Sequence, residues 1–201
     1  DTFVKDYVFP MIRGHAIYEG VYLLGTSIAR PLIAKRQIAA AKKFGAYAVS
    51  HGSTGKGNDQ VRFDMIFQTL APNIKIITPI RDQKLTRQEE IAYLKAEGID
   101  MSWEKSKYSI NKGLWGTSVG GVETLNSEKP LPNEAFPSQI QKEGEEQVVL
   151  TFKNGEFTAL NGTENKPEIN IEKLNEIASA YAIGRDIHVG DTILGTKGRV
   201  G

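Results

Sequence analysis

Helical periodicity marks four segments in the first half of the chain. Apolar residues recur there at the three- and four-residue spacing that places them on one side of a helix. The predicted helices span Thr2–Ile17, Arg30–Phe44, Asn58 or Asp59 to Leu70, and Thr86–Glu97. Pro10 is expected to kink or divide the first helix. In the second, Pro31 suits the first turn and Gly45 suits the position just past the end.

Two short apolar runs, Tyr47–Ser50 and Lys75–Thr78, separate these helices and are typical of buried strands. The regular alternation of helix and strand predicts a parallel sheet covered on both faces, which is an α/β fold. Thr86 and Glu89 form a capping-box pattern at the start of the fourth helix. The inward face of the third helix is predicted to carry Val61, Met65 and Ile66.

The pattern changes after Gly98, where we place a domain boundary between residues 1–98 and 99–201. Lys107–Gly121 is rich in Gly, Ser and Asn and is predicted to be an irregular loop. Asn154-Gly155 is the two-residue turn of a hairpin. The other predicted elements of this α+β half are strands at Gln147–Phe152, Glu156–Leu160 and Ile187–Leu194 and a helix at Ile171–Tyr181.

The amino-acid composition mainly excludes certain classes of function. The 201 residues are 40% hydrophobic and 24% charged, as in an ordinary globular protein. The net charge of +1 gives no support to a broad nucleic-acid surface. Without cysteine, a disulfide framework, a zinc–cysteine site and a cysteine nucleophile are excluded. The lack of cysteine also fits the cytosol, and no apolar run approaches the ~20 residues that span a bilayer.

The glycine-rich stretch Ser50–Asp59 is the first candidate site. Its glycines, Gly52, Gly55 and Gly57, follow a predicted strand and precede a predicted helix, where backbone N–H groups can approach an anion. A Walker loop is excluded, because Lys56 lies between two glycines instead of preceding Ser or Thr. A plain turn whose glycines serve only geometry stays open.

Three polar residues at the start of the next helix extend this candidate. Asn58 and Arg62 are four residues apart and share one helical face. An amide and a guanidinium can together hold a carboxylate, while Asp59 can accept from an ammonium group. This set of groups can bind an amino acid by both of its charges. A capped helix with a surface ion pair is the alternative.

Other polar segments are weaker indications. Gly25-Thr26-Ser27 before Pro31 presents hydroxyls at a predicted helix start, which is more often a cap than a site. Histidines 15, 51 and 188 lack metal-ligand spacing and no Ser/His/Asp motif is present, so no metal site is predicted. Trp103 and Trp115 are expected to be packing residues.

Three blocks together carry a resemblance to a known family. Read in order, they are YLLGTSIARPLIAK at Tyr22–Lys35, VSHGSTGKGNDQVRF at Val49–Phe63 and YSINKGLWGTSVGG at Tyr108–Gly121. They closely resemble the argininosuccinate synthases. The resemblance implies a ligase of arginine biosynthesis and the urea cycle, which joins citrulline and aspartate through a citrullyl-adenylate and releases AMP and pyrophosphate from ATP. It also implies an ATP-pyrophosphatase-type nucleotide-binding domain, a synthetase domain and a cytoplasmic homotetramer.

The same resemblance implies roles for single residues. Citrulline would be bound by Tyr22, Ser27, Asn58, Arg62, Ser109 and Ser118. Aspartate would be bound by Thr54, Asn58 and Asp59. ATP, carried with Mg²⁺ as its substrate complex, would contact Gly52, Ser53, Gly55, Lys56 and Gly57. No side chain need act as a covalent nucleophile.

The sequence also departs from the family pattern. A Ser-Gly-Gly-x-Asp pyrophosphate loop should precede Asp1, and a tyrosine contact and a C-terminal arm should follow Gly201, so we expect this chain alone to be inactive. The family's Val-Glu-Asn run reads Val189-Gly190-Asp191 here, and Gly190 cannot supply the glutamate that contacts citrulline. Two alternatives remain: a related ATP-pyrophosphatase ligase that adenylates another acceptor, and a non-catalytic binding module of the same fold.

Overall fold

The computed structural model describes residues 1–99, 101, 108–126, 128–192 and 195–200. The chain divides into two compact units. The α/β unit comprises Thr26–Lys107 and Asp191–Lys197, and the mixed unit comprises Asp1–Gly25, Tyr108–Gly190 and Gly198–Gly201. The boundary near residue 98 stays a prediction. Trp103 and the end of the strand predicted to reach Leu194 lie outside the described residues.

The α/β unit is built around two parallel strands, as the alternation of helices and strands predicted. Its elements are α2 (Gly25–Phe44), β1 (Ala48–Ser50), α3 (Asp59–Leu70), β2 (Lys75–Ile77), α4 (Pro79–Gln83) and α5 (Arg87–Ala96). In register, Ala48 pairs with Lys75 and Ser50 with Ile77. The core joins the apolar faces of α2 and α3 to β1 through Ala34, Ile38, Ala41, Val49 and Phe67. The predicted capping box of Thr86 and Glu89 opens α5.

Two details of this unit correct the sequence-based expectations. The second helix begins at Gly25 instead of Arg30, so Pro31 lies inside it and removes one helical hydrogen bond. On α3, Met65 is 56% exposed while Phe67 is fully buried. The inward face predicted for α3 was therefore wrong at Met65, because the aromatic pair Phe63 and Phe67 turns toward the core instead.

The mixed unit starts with a π-helical turn, Val4–Val8, that continues into α1, Phe9–Arg13. This pair ends before the predicted Ile17, because the chain turns at Gly14 and His15, whose φ is +48°. The later elements of this unit are β3 (Ser109–Gly113), β4 (Gly116–Gly120), β5 (Leu150–Lys153), β6 (Glu156–Leu160), β7 (Thr163–Glu164) and α6 (Pro167–Ala180). The last strands are β8 (His188–Thr192) and β9 (Gly195–Val200), and residues Asp191–Lys197, which include parts of both, belong to the α/β unit. Strands β5, β6 and β7 form one sheet.

The segment predicted as an irregular loop at Lys107–Gly121 is instead a β-hairpin from Ser109 to Gly120. Strands β3 and β4 pair antiparallel from Ser109 and Gly120 to the tip at Gly113 and Gly116. Glycine, serine and asparagine have low strand propensity, and the sequence therefore lacked a strand signal. The Asn154-Gly155 turn is confirmed, with φ of +52° and +77° at its two residues.

Within the described part of the chain, no helix combines the length and apolar character needed to cross a membrane.

Candidate functional site

The glycine-rich loop runs from the end of β1 to the start of α3. His51, its first residue, is 8% exposed, whereas Gly52, Thr54, Gly55 and Lys56 are exposed. The backbone N–H of His51 donates to the carbonyl of Ile77 at 3.2 Å, extending the parallel ladder beyond β1. The loop is thus fixed at its base and open to solvent along most of its length.

His51 also holds the loop through its ring. Its Nδ1 accepts a hydrogen bond from the Ser53 N–H at 3.2 Å, and its Nε2 lies 2.9 Å from a carboxylate oxygen of Asp64. The other oxygen of Asp64 accepts from Arg81 at 2.6 Å. Burial raises the pKa of Asp64, but the hydrogen bonds from Arg81 and His51 and the positive charge of Arg81 outweigh it and lower that pKa overall.

A second polar cluster surrounds Arg62 on the first turns of α3. One Nη of Arg62 donates to Ser27 Oγ at 2.8 Å, and the other donates to Asp59 Oδ1 at 2.8 Å. The second carboxylate oxygen of Asp59 accepts from Arg30 Nε at 3.0 Å. All three charged side chains are partly buried. The structure therefore brings together Ser27 and Arg62, which the resemblance assigned to citrulline, and Asp59, which it assigned to aspartate.

Arg30 is the member of this cluster that the sequence interpretation missed. It lies one turn after Ser27 on α2, on the same side of the helix. Two guanidinium groups thus bind one carboxylate in this cluster, and a guanidinium can also hold the carboxylate of a ligand. The sequence does show an arginine within the Gly25–Pro31 segment. Because the helix was predicted to begin at Arg30 and not at Gly25, this arginine was not placed on the same helical face as Ser27.

Asn58 and Gln60 connect the end of the loop to α3. Asn58 occupies the position before α3, where its carbonyl accepts from the backbone N–H groups of Val61 and Arg62 at 3.1 Å each. Its side chain makes no capping bond to the helix, although the sequence allowed such a cap. Gln60 donates to the carbonyl of Gly55 at 2.6 Å and ties the exposed part of the loop to α3.

In the mixed unit, the β3–β4 hairpin brings two of the predicted serines onto one face. Asn111 pairs with Ser118 in register, and Ser109 pairs with Gly120. Residues directly opposite and two apart share a face, so Ser109, Asn111 and Ser118 project from the same side. Asn111 donates to Ser118 Oγ at 3.4 Å.

The hairpin tip packs against the segment that carries Tyr22. The indole N–H of Trp115 donates to the carbonyl of Leu23 at 3.2 Å. Gly25 lies so close to the Trp115 carbonyl that a Cβ would be 3.1 Å from the carbonyl carbon, which explains a glycine there. The Tyr22 ring stacks on His188, with centroids 4.6 Å apart. Trp115 is thus a packing and hydrogen-bonding residue beside Tyr22.

Comparisons with known proteins match both parts of the chain. Residues 1–100 match the family model "Arginosuccinate synthase N-terminal HUP domain", and residues 108–200 match "Arginosuccinate synthase C-terminal domain". The argininosuccinate synthase of Pelagibacter ubique is 52% identical over 99% of this chain and 52% of its own length. That of Methanocaldococcus jannaschii is 46% identical over 99% of this chain and 51% of its own length.

The chain spans about half the length of the curated relatives it matches. The matches nevertheless extend over both family domains, and they agree with an α/β unit that carries a glycine-rich loop between a parallel strand and a helix. On this evidence, the chain belongs to the argininosuccinate synthase family.

Proposed function

We propose that the complete protein containing this chain is an argininosuccinate synthase, a ligase that joins citrulline and aspartate at the expense of ATP. The ureido oxygen of citrulline attacks the α-phosphate of ATP and pyrophosphate leaves. The amine of aspartate then attacks the activated carbon, AMP leaves with the ureido oxygen, and the amine loses a proton. The observation that carries the proposal is the Arg62 cluster, supported by family membership.

The Arg62 cluster suits amino-acid ligands because it combines fixed cations with a fixed anion. Arg62 is held on two sides, by Ser27 and Asp59, so little side-chain entropy is lost when a ligand binds. We assign Ser27, Asn58 and Arg62 to citrulline, and Thr54, Asn58 and Asp59 to aspartate. In this assignment Asp59 attracts the ammonium group of aspartate, while its two arginine partners hold its carboxylate in place.

The glycine-rich loop is proposed to contact ATP through Gly52, Ser53, Gly55, Lys56 and Gly57. Its support is the position between β1 and α3, where exposed backbone N–H groups and the Lys56 ammonium can approach phosphate oxygens. Mg²⁺ would arrive as part of the ATP complex. Among the described residues, no group of three or more His, Asp or Glu side chains that could hold a metal ion occurs.

Tyr22, Ser109 and Ser118 are proposed to complete citrulline binding through their hydroxyl groups. The shared hairpin face of the two serines supports this assignment, because hydroxyls can both donate to a carboxylate and accept from an amine. None of the residues assigned here acts as a covalent nucleophile. The enzyme would accelerate the reaction by positioning both substrates and by stabilising charge that develops at the α-phosphate.

The direct test measures AMP formed from ATP by the complete protein. We expect AMP and argininosuccinate only when citrulline and aspartate are both present, and exchange of labelled pyrophosphate into ATP with citrulline alone. Exchange with another acceptor but not with citrulline would favour a different ATP-pyrophosphatase ligase. Binding of neither amino acid in calorimetry would indicate a non-catalytic module.

Assembly and location belong to the same proposal. Family membership supports a cytoplasmic homotetramer. Light scattering on the complete protein measures its mass in solution directly, and a monomeric mass under assay conditions would contradict the tetramer. Fractionation of cells that express the protein tests the location.

A further inference from the structure

His51 is the most buried polar residue of the glycine-rich loop, and the function proposed above gives it no role. Its ring is fixed on every side that the structure describes. The rings of Phe63 and Phe67 lie against it, with centroid distances of 5.5 Å and 6.2 Å, and both ring nitrogens have hydrogen-bond partners. Such complete fixation is costly in entropy and indicates that the orientation of this ring matters.

The two hydrogen bonds define the protonation state of the ring. The partner of Nδ1 is the backbone N–H of Ser53, which can only donate, so Nδ1 must be the unprotonated acceptor. The partner of Nε2 is the carboxylate of Asp64, which can only accept while ionised. His51 is therefore the neutral tautomer with its proton on Nε2. A doubly protonated ring would direct two donors, Nδ1–H and the Ser53 N–H, at each other.

Asp64 is itself oriented by a second residue. Arg81 donates to the Asp64 oxygen that His51 does not use, and it also donates to Gln60 at 3.1 Å and to Thr78 at 3.2 Å. These contacts link the first residue after β1, the first residue after β2 and one face of α3. The series of hydrogen bonds Arg81–Asp64–His51–Ser53 thus fixes the backbone of the loop relative to the ends of the two strands.

We propose that His51 is a positioning residue for ATP. Its Nδ1 accepts a hydrogen bond from the Ser53 N–H, and this bond fixes the Gly52–Gly57 loop. The inference rests on the proposed function, because it concerns the loop there assigned to ATP. His51 itself touches no phosphate in this mechanism. Asp64 and Arg81 serve to hold the tautomer, and Ser53 is the point at which the loop is pinned.

Two substitutions distinguish the hydrogen bond that fixes the loop from the packing of the His51 ring. Asparagine in His51→Asn places Oδ1 near the position of Nδ1, where it can accept the Ser53 N–H as in an Asx turn. Glutamine in His51→Gln instead places its amide near Nε2, where it can donate to Asp64 but leaves the Ser53 N–H without its acceptor. Both lose the aromatic ring, so each is the matched control of the other.

In the complete protein, we expect His51→Gln to raise the KM for ATP about tenfold, as loss of a hydrogen bond of ordinary strength would. His51→Asn should stay within about threefold of wild type, and the KM values for citrulline and aspartate should change little in both. Amide exchange at Ser53 should be slow in wild type and His51→Asn and fast in His51→Gln. Equal ATP KM values for the two variants would overturn the proposal.

The wild-type protein provides a test that needs no variant to fold. Nitrogen-15 NMR of the labelled ring should show a protonated Nε2 and an unprotonated Nδ1, and the reverse tautomer or a protonated Nδ1 would overturn the proposal. Failure of the proposed function would look different: the wild type would form no citrulline-dependent AMP even with the expected tautomer. That result would contradict the assignment of the loop to ATP, and with it the positioning role of His51.

Discussion

Arg62 donates a hydrogen bond to the hydroxyl of Ser27 at 2.8 Å, although the two residues are 35 positions apart on different helices. The contact fixes one Nη of the guanidinium, while Asp59 fixes the other. A guanidinium held in this way keeps its plane in one orientation. Because bidentate recognition of a carboxylate depends on that plane, Ser27 should matter through Arg62 as well as through any contact of its own.

Replacement of Arg62 is the sharpest test of the proposed citrulline site. Arg62→Ala removes a charged donor, and we expect kcat/KM for citrulline to fall about 100-fold, from ~2–3 kcal/mol of lost interaction. Arg62→Lys should recover only part of this, because an ammonium cannot reproduce the planar fork. Steady-state kinetics with citrulline varied at saturating ATP and aspartate measures the effect. Arg36→Ala, which removes an exposed arginine from α2, is the control.

The contact between Ser27 and Arg62 predicts coupled mutational effects. Ser27→Ala should lower kcat/KM for citrulline about tenfold in the wild-type background and much less in the Arg62→Ala background. The corresponding coupling energy is about 1 kcal/mol, the net value of one hydrogen bond. A double-mutant cycle measures it. Strictly additive effects would mean that the hydrogen bond does not orient Arg62 for the ligand.

The features that local sequence dictates were predictable. The capping box at Thr86 and Glu89 and the Asn154-Gly155 turn follow from short-range rules, and the structure contains both. The parallel pairing of β1 with β2 followed from the alternation of helices and strands along the chain. The spacing of Asn58, Asp59 and Arg62 likewise indicated a polar site at the start of α3, where Asp59 and Arg62 are hydrogen-bonded, whereas only the family resemblance joined Ser27 to Arg62.

Features that depend on distant partners were not predictable. The β3–β4 hairpin is stabilised by cross-strand pairing and by Trp115 bonding to Leu23, 92 positions away, while its Gly- and Ser-rich sequence favours a loop. Arg30 and His51 gain their roles from Asp59 and Asp64, which lie on the next helix. Spacing within one element cannot reveal such a pairing, because it arises only when the fold brings two elements together.

Asp64 should make the stability of the protein depend on pH. Its pKa is lowered in the native state because Arg81 and His51 outweigh the effect of burial. The unfolded chain, with an ordinary aspartate pKa of about 4, therefore binds the proton first as the pH falls. The stabilisation is fully present above pH ~4 and is lost as the pH falls through the lowered native value.

Asp64→Asn removes this dependence. At pH 7 we expect the variant to lose about 1–3 kcal/mol of unfolding free energy, because Arg81 and His51 lose a charged acceptor. The difference from wild type should shrink as the pH is lowered from 5 to 3, and urea denaturation at each pH measures it. Glu97→Gln neutralises an exposed carboxylate in the same unit and is the control. A difference that stays constant over this range would contradict the assignment.

Arg13 makes Gly155 difficult to replace. Gly155 has φ of +77°, and an added Cβ would lie 2.7 Å from Arg13 Cγ. Arg13 cannot move away without cost, because it donates to the Asn154 carbonyl at 3.2 Å and to Glu156 at 2.9 Å. Gly162 has nearly the same φ, +74°, but an added Cβ there would meet nothing within 4 Å. Substitution at Gly162 therefore tests backbone strain alone, whereas substitution at Gly155 adds a steric conflict with Arg13.

We expect Gly162→Ala to cost about 1 kcal/mol of unfolding free energy, the usual penalty for a side chain in the left-handed region. Gly155→Ala should cost about 1 kcal/mol more, because Arg13 must give up its contacts with the turn. Chemical denaturation of both variants measures the difference. In an Arg13→Ala background the extra cost should disappear and the two glycine substitutions should become equivalent. If Gly155→Ala remains the more harmful in that background, the conflict lies in the turn itself and not with Arg13.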